Sequence, residues 1–322
     1  MKLGLIGAGY WGKNLVRAFY ELGVLNTICD LDKKILRDRK KEYPNLRTTE
    51  NFEEILNNKE IKGVIIATPA ITHYQLVKKT LLAGKDVFVE KPLTLNIKQG
   101  KMLVKIAKQK KLVLMVGHLL LYHPAIIKLK EIIKSGKLGE IDHIYSNRLN
   151  FGKLRKEENV LWSFAPHDIS VIIDIMGMPK KVSAVSRSYL QKNIADIFCG
   201  SLEFQKGKAA HIFVSWLNPF KEQKLVIIGS KQMAVFDDQA EDKLVIYPRK
   251  IKWQKNKNPE AVKAGGKAIK ISRKEPLLEE AKHFLECVKK REKPKTDGDS
   301  ALNVLKILDA FQKSANEKSK NI

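Results

Sequence analysis

The stretch that most limits what this chain can fold into lies at its start. Lys2–Ile6 carries an apolar strand signal and runs directly into Gly7-Ala8-Gly9-Tyr10-Trp11-Gly12. From Tyr10 to Leu22, apolar residues recur at 11, 15, 18, 19 and 22, the spacing of one helix face. A G-x-G-x-x-G run alone is weak, but between a strand and a helix each glycine has a physical task. The first makes a tight turn, the second lets a diphosphate approach the backbone, and the third lets helix and strand pack closely. Free N–H groups at the helix start face the phosphates. Asp30 ends the next strand signal, Val24–Cys29, 18 residues after Gly12. A carboxylate there suits a ribose 2′-hydroxyl, which favours NAD over NADP, although Lys33 and Lys34 could tolerate a phosphate. The expected cofactor is NAD, held by Gly7, Gly9, Tyr10, Trp11, Gly12 and Asp30.

Strand and helix signals keep alternating to residue 118. A charged helix over Leu31–Tyr43 and a short one over Glu50–Asn57 precede a strand at Val64–Ala67. A helix over Tyr74–Ala83, a strand at Val87–Val89, a helix over Ile97–Lys110 that Asn96 can cap, and a strand at Leu112–Val116 follow. Such apolar strands separated by helices predict an α/β fold, a doubly wound parallel sheet of the Rossmann type over 1–118. After Gly117 the pattern changes. A helix over Pro124–Lys134 leads into the alternating run IDHIYSNRLNFG, then a helix over Pro166–Met176. Six strand signals then run from Val182–Leu190 to Leu244–Tyr247 without helices between them. Residues 119–322 therefore read as an α+β domain with a large, mostly antiparallel open sheet for substrate binding and oligomerisation. The basic stretch 249–275 reads as a surface loop, and helices over Leu277–Lys290 and Ser300–Ser314 close the chain.

Composition removes several classes. The 322 residues suit two domains, and 44% hydrophobic with 30% charged residues suits a globular protein with a sizeable core. No stretch approaches about 20 apolar residues, so a membrane span is not expected. MKLGLIGAGYWG enters a strand at once, without the apolar run of a signal peptide. Cys29, Cys199 and Cys287 are odd in number and widely spaced, which fits a reducing cytoplasm and no metal site. The net charge of +25 raises the question of polyanion binding. Only ten of the 60 basic residues are arginine, the residue that phosphate and base recognition favours, and the lysines alternate with apolar residues on helices. The expectation is a lysine-rich solvated surface that helps attract an anionic substrate, with no nucleic-acid and no membrane partner.

The strand Val87–Val89 ends in Glu90-Lys91-Pro92, on the rim where loops after parallel strands line a cofactor crevice. Thr68 and Pro69, after the preceding strand, are candidate nicotinamide or ribose contacts. His73 opens the next helix beside them and reads as a neighbour of the cofactor rather than a base. Glu90-Lys91-Pro92 resembles the Glu-Lys-Pro motif of the glucose-fructose oxidoreductase/inositol dehydrogenase family. The resemblance extends over nearly the whole chain, to PLLEEAKHFLECVKKREKPKTDGDSALNVLKILDA near its end. It implies that Lys91 touches both substrate and cofactor, with Glu90 and Pro92 at the cofactor too.

The resemblance also points to Val160–Ile169, the segment that holds the family's catalytic histidine. Pro166 fits the first position of a helix, which puts His167 in the first turn, where the helix dipole favours the neutral imidazole of a general base. The family pattern is Asp-x-x-x-His, and this chain has Ser163 in place of the aspartate. The run NRLNFGKLRKEENVLWSFAPHDISVI is similar to members acting on UDP-linked N-acetylhexosamines. By that likeness Arg148 and Arg155 hold a diphosphate, with Lys153 nearby, and Asn159 or Ser163 holds an acetamido or hydroxyl group. The implied reaction is NAD-dependent oxidation of the 3-hydroxyl of UDP-N-acetylglucosamine, with Lys91 and His167 catalytic and no metal. A downstream aminotransferase would take the ketone towards surface glycans, and the enzyme would be a cytoplasmic homodimer or homotetramer. Alternatives are UDP-N-acetylglucosaminuronate, an inositol or another sugar, a non-catalytic NAD-binding regulator, and a nucleic-acid binder.

Overall fold

A computed structural model describes residues 1–152, 154–254, 258–262 and 264–318. In chain order the first elements are β1 (Lys2–Ile6), α1 (Gly12–Glu21), β2 (Leu25–Cys29), α2 (Lys33–Glu42), β3 (Arg47–Thr49) and α3 (Phe52–Asn57). Next come β4 (Ile61–Ile66), α4 (Ala70–Leu82), β5 (Asp86–Glu90), α5 (Ile97–Gln109), β6 (Leu114–Gly117) and a 3₁₀ turn, Leu119–Tyr122. Then follow α6 (Pro124–Lys134), β7 (Ile141–Leu149), α7 (Val160–Met176), β8 (Lys181–Arg187), β9 (Ile197–Glu203), β10 (Ala209–Ser215), β11 (Glu222–Gly229), β12 (Gln232–Asp237) and β13 (Leu244–Pro248). The chain finishes with β14 (Lys250–Lys252), β15 (Glu260–Val262), β16 (Lys267–Ala268), α8 (Pro276–Lys290) and α9 (Gly298–Lys318). Two compact units result, Met1–Tyr122 with Lys274–Lys306, and His123–Arg273 with Ile307–Ile322.

In the first unit six parallel strands stand in the order β3-β2-β1-β4-β5-β6, the Rossmann order expected from the sequence. Leu3, Leu5, Val64, Ile65, Val87 and Phe88 are fully buried, as strands covered on both faces require. Helices start where a side chain can take up free N–H groups: Asp32 caps α2, Asn51 caps α3, and Asn96 caps α5 as expected. α1 differs, with no side-chain cap and no acid in its first turn.

Packing groups the chain differently from the expected division at 118. The first unit runs to Tyr122, and Lys274–Lys306 returns to it. The physical reason is Phe284 of α8, fully buried, whose ring meets Phe19 and Phe88 edge-on at 6.3 and 5.8 Å. Aromatic edge-to-face packing of this kind adds to the area it buries. Thr296 O also accepts from Val116 N at 2.8 Å, continuing the sheet edge beyond β6.

The second unit holds an eight-stranded sheet in the order β16-β13-β12-β11-β7-β10-β9-β8. β7 and β10 are its one parallel pair, and all other neighbours are antiparallel. Ile144, Ser146 and Arg148 of β7 are buried, while His143, Tyr145 and Asn147 occupy the other face. The stretch 249–275, expected as a loop, includes the hairpin β14–β15 and the edge strand β16.

α7 also corrects the sequence reading. It starts at Val160, six residues before Pro166, because Asn159 caps it by accepting from Trp162 N at 3.3 Å. Pro166 lies inside the helix, and His167 is the eighth residue rather than part of the first turn. The dipole argument for a neutral His167 therefore falls, since that influence fades within the first turn.

Candidate active site

The site of the first unit is assembled at the carboxyl ends of β1, β2, β4, β5 and β6. Gly7 has φ +92°, and a Cβ there would meet the Ala67 backbone at 2.8 Å. A Cβ on Gly12 would stand 1.9 Å from Gly7 O, so α1 lies as close to the turn as only glycine permits. A Cβ on Gly9 would find nothing nearer than Ile35 Cδ1 at 3.8 Å, which leaves the middle of the turn open. Asp30 is fixed by two backbone donors, Ala8 N at 2.7 Å to Oδ2 and Asp32 N at 3.0 Å to Oδ1. An open turn, an uncapped α1 and an anchored carboxylate at the end of β2 fit the diphosphate and ribose of NAD.

Thr68 and Pro69 follow β4, and Thr68 Oγ1 bonds Thr72 Oγ1 at 2.7 Å. His73 is buried, with Nδ1 2.8 Å from Pro92 O and Nε2 2.9 Å from Thr68 O. The neutral ring has one N–H, so one nitrogen donates to a carbonyl while the other lies against the second, and His73 links the loop after β4 to the Glu-Lys-Pro turn. Burial pushes its pKa down, against the pull of the two carbonyls.

The Glu-Lys-Pro turn is joined to the glycine turn through Trp11. Its Nε1 donates to Glu90 Oε1 at 2.6 Å, while Lys91 N donates to Glu90 Oε2 at 3.3 Å. Gly117 lies beneath this carboxylate, since a Cβ there would meet its atoms at 3.1–3.2 Å. Burial raises the Glu90 pKa, opposed by the Trp11 hydrogen bond and the Lys91 charge. Lys91 is half-buried, and its peptide bond to Pro92 is cis.

Two residues of this unit were not singled out from the sequence. His118 follows β6 directly, is 1% exposed, and neither ring nitrogen has a hydrogen-bond partner. Burial and the nearby Lys91 charge push its pKa down to about 4. Its position after a strand on the same rim was the readable signal. Glu280 sits on the buried stripe of α8 with Leu277, Ala281, Phe284 and Val288, and an acid in an apolar stripe is itself a signal.

In the second unit the proposed substrate residues fare unevenly. Arg148 is buried and clamped on Asp168, Nε to Oδ2 at 2.6 Å and Nη2 to Oδ1 at 3.2 Å. Ser146 Oγ adds a third bond to Asp168 at 2.7 Å. Arg148 thus forms a buried ion pair between β7 and α7, where it was expected to hold a diphosphate. Asn159 is likewise committed, as the α7 cap and through Nδ2 to Gln312 Oε1 at 2.8 Å. Ser163 is 2% exposed within α7, one turn before His167. Arg155 is more open and pairs with Glu158 at 3.0 Å. His167 is half-buried, and its carbonyl accepts from Ser170 Oγ at 2.7 Å. Lys153 lies outside the described residues. Asp168, adjacent to the proposed base, was missed because its partner is 20 residues away on a strand.

Among the described residues no group of His, Cys, Asp and Glu could hold a metal ion, and no helix is long and apolar enough to cross a membrane. Residues 1–118 match the model of an oxidoreductase family with an NAD-binding Rossmann fold, GFO/IDH/MocA, and residues 126–235 match the GFO/IDH/MocA C-terminal domain. The uncharacterized oxidoreductase YhhX of Escherichia coli is 30% identical over 59% of this chain and 56% of its own length. The scyllo-inositol 2-dehydrogenase (NADP(+)) IolW of Bacillus subtilis is 26% identical over 65% of this chain and 61% of its own. This chain thus spans about 56–61% of the length of these curated relatives. The solved UDP-N-acetylglucosamine 3-dehydrogenase GnnA from Acidithiobacillus ferrooxidans superposes with a TM-score of 0.84 at 22% identity, covering 98% of both chains.

Proposed function

Because this chain belongs to the GFO/IDH/MocA oxidoreductase family, with NAD as its cofactor, we propose that it oxidises the 3-hydroxyl of UDP-N-acetylglucosamine to a 3-keto sugar. The observation that carries the reading is Lys91 on the cofactor rim, its turn fixed through Glu90 to Trp11 and through Pro92 to His73. Support for the sugar comes from the likeness of fold to GnnA over 98% of both chains.

Gly7, Gly9 and Gly12 would hold the diphosphate, Asp30 a ribose, and Thr68, Pro69 and Glu90-Lys91-Pro92 the nicotinamide end. Bound there, NAD would supply the acceptor for the hydrogen on the alcohol carbon together with both electrons of its C–H bond. His167 takes the hydroxyl proton, and the O–H electron pair becomes the second bond of the ketone. The Lys91 ammonium steadies the negative charge that grows on that oxygen. Ser163 stands where the resembled family pattern has an aspartate, so no carboxylate one helical turn before His167 assists it. Arg155 is the remaining arginine for a diphosphate. An aminotransferase is the class of enzyme that would consume the ketone, and the sheet face bearing His143 and Tyr145 would pair protomers in a homodimer or homotetramer.

A second reading has its own observation. With Arg148 held by Asp168 and Asn159 by the α7 cap, two of the expected nucleotide-sugar contacts are gone, which favours a smaller polyol such as the substrate named for IolW. NADH formation with NAD+ and UDP-N-acetylglucosamine, its uronate or scyllo-inositol separates the readings, with an aminotransferase and glutamate trapping any ketone. Lys91→Ala and His167→Ala should each abolish the signal. Turnover of scyllo-inositol alone would replace the nucleotide sugar, and silence with all three would overturn both.

A further inference from the structure

Glu280 is an acid where the fold offers nothing to hold an anion. It is 1% exposed on α8, and neither carboxyl oxygen has a hydrogen-bond partner. An ionised carboxyl taken from water without donors is strongly disfavoured, whereas a neutral one loses only ordinary hydrogen bonds. The groups facing it come from several elements of the first unit. Phe88 and Glu90 share one face of β5, Glu280 and Phe284 share one face of α8, and the two rings meet at 5.8 Å, which sets Glu90 alongside Glu280; Tyr122 of the 3₁₀ turn and Lys295 after α8 complete the surrounding groups. Lys295 Nζ donates to Leu121 O and lies 5.1 Å from the centre of the Tyr122 ring. The Tyr122 hydroxyl is 3.3 Å from Thr296 Oγ1. On α1, Arg17 is occupied by Glu21 and Glu275. On α8 itself, His283 Nε2 accepts from Lys295 N at 3.1 Å and stands 3.5 Å from Cys287 Sγ.

Glu90 has what Glu280 lacks, the indole donor of Trp11 and the amide of Lys91. When two acids face one another in a poorly solvated place, the one with donors ionises and the other keeps its proton. We propose that Glu280 and Glu90 form one electrostatic pair behind Lys91, with Glu280 the proton-bearing member and a positioning residue for the Glu-Lys-Pro turn. A neutral Glu280 lets Glu90 keep its negative charge on Trp11 and the Lys91 amide. Ionising Glu280 sets a second anion against Glu90 and loosens that hold. Burial and the Glu90 charge raise the Glu280 pKa well above the ordinary carboxyl value, and Lys295 opposes them. The kinetic consequence rests on the reading of Lys91 as a working residue; the charge state does not.

The test follows from linkage. A carboxyl whose pKa is raised on folding contributes stability fully present below its unfolded value, about 4.3, and lost as pH rises towards the folded value. Glu280→Gln mimics the neutral acid and does not titrate, so its melting temperature should gain on that of the native chain as pH rises from 5 to 9. A flat difference over that range would mean a Glu280 already ionised above pH 5, whether as an ordinary acid or paired with Lys295, and overturns the proposal. Infrared spectroscopy of the native chain at pH 7, against Glu280→Gln, should show the variant losing one protonated-carboxyl band, and no loss refutes it without any melting experiment. Tryptophan fluorescence, with Trp11→Phe as the reference, reads the link to Glu90. The native chain should show an alkaline transition that Glu280→Gln lacks, and a transition kept in the variant rules the link out. None of these needs a substrate, so a wrong sugar would leave them standing. In the dehydrogenase assay, the alkaline limb of kcat/KM should flatten in Glu280→Gln.

Discussion

The indole Nε1 of Trp11 donates to Glu90 Oε1 at 2.6 Å, bridging 79 residues of sequence between the glycine turn and the Glu-Lys-Pro turn. Trp11 therefore fixes the position of the lysine's neighbour as well as the start of α1. Trp11→Phe keeps the ring and removes the donor. A hydrogen bond to a carboxylate contributes about 1.5–3 kcal/mol. NAD should bind roughly tenfold more weakly, read by calorimetry, with a melting temperature lower by a few degrees. Unchanged affinity would show that the bridge has no part in holding NAD.

Gly12→Ala places a methyl 1.9 Å from Gly7 O, and backbone cannot yield as a flexible side chain does. Overpacking of this kind costs about 1–3 kcal/mol. Lower stability in denaturant and loss of NAD binding should appear together, whereas Gly84→Ala, at positive φ but with open space around it, should leave NAD binding intact.

Arg148 and Arg155 should separate cleanly. Arg148→Met leaves Asp168 buried without its partner, a loss of about 3–5 kcal/mol, read as a melting temperature lower by roughly 10 °C. Arg155→Ala, at a pair whose arginine is open and whose glutamate is buried, should cost less stability than Arg148→Met and raise KM for a diphosphate-bearing substrate. Equal effects of the two variants on KM would restore Arg148 as a ligand.

His118 gives an acid limit. Its pKa is lowered from 6.5 to about 4 on folding, so the unfolded chain binds the extra proton first. Stability is complete above pH 6.5 and falls as pH drops through that window to 4, by about 3 kcal/mol at most. His73 is shifted in the same direction and adds to the slope. Thermal melts of His118→Phe should show a shallower fall between pH 6.5 and 4 than the native chain; an identical slope would assign the acid limit elsewhere.

Much of the first unit was readable because its determinants are local. Gly12 and Asn96 act within about a turn of their own position, Gly7 and Asp30 stand at strand ends that the pattern marks, and apolar runs announce parallel strands. Pro166 misled because proline at a helix start and proline inside a helix look alike in sequence, while the deciding cap, Asn159, sits seven residues earlier. The clamp of Arg148 on Asp168 was hidden for another reason. Arginine beside a predicted anionic substrate invites a phosphate, and only the pairing of β7 with α7 shows the charge already taken. His73 was placed near the cofactor, yet its ring faces two carbonyls that no periodicity could indicate.

The return of Lys274–Lys306 to the first unit bears on the order in which the molecule can be made. A ribosome finishes all six parallel strands long before it reaches Phe284, and until then the rings of Phe19 and Phe88 lack their covering aromatic. The first unit to be translated thus stays unsealed until most of the chain has emerged, and the nascent chain must carry an uncovered apolar surface through synthesis of everything between. Splitting the gene after Tyr122 would yield a fragment without its own lid, whereas a circular permutant opening at Lys274 would bring the helix to the front and let the cofactor half close before the sheet of the other half is made.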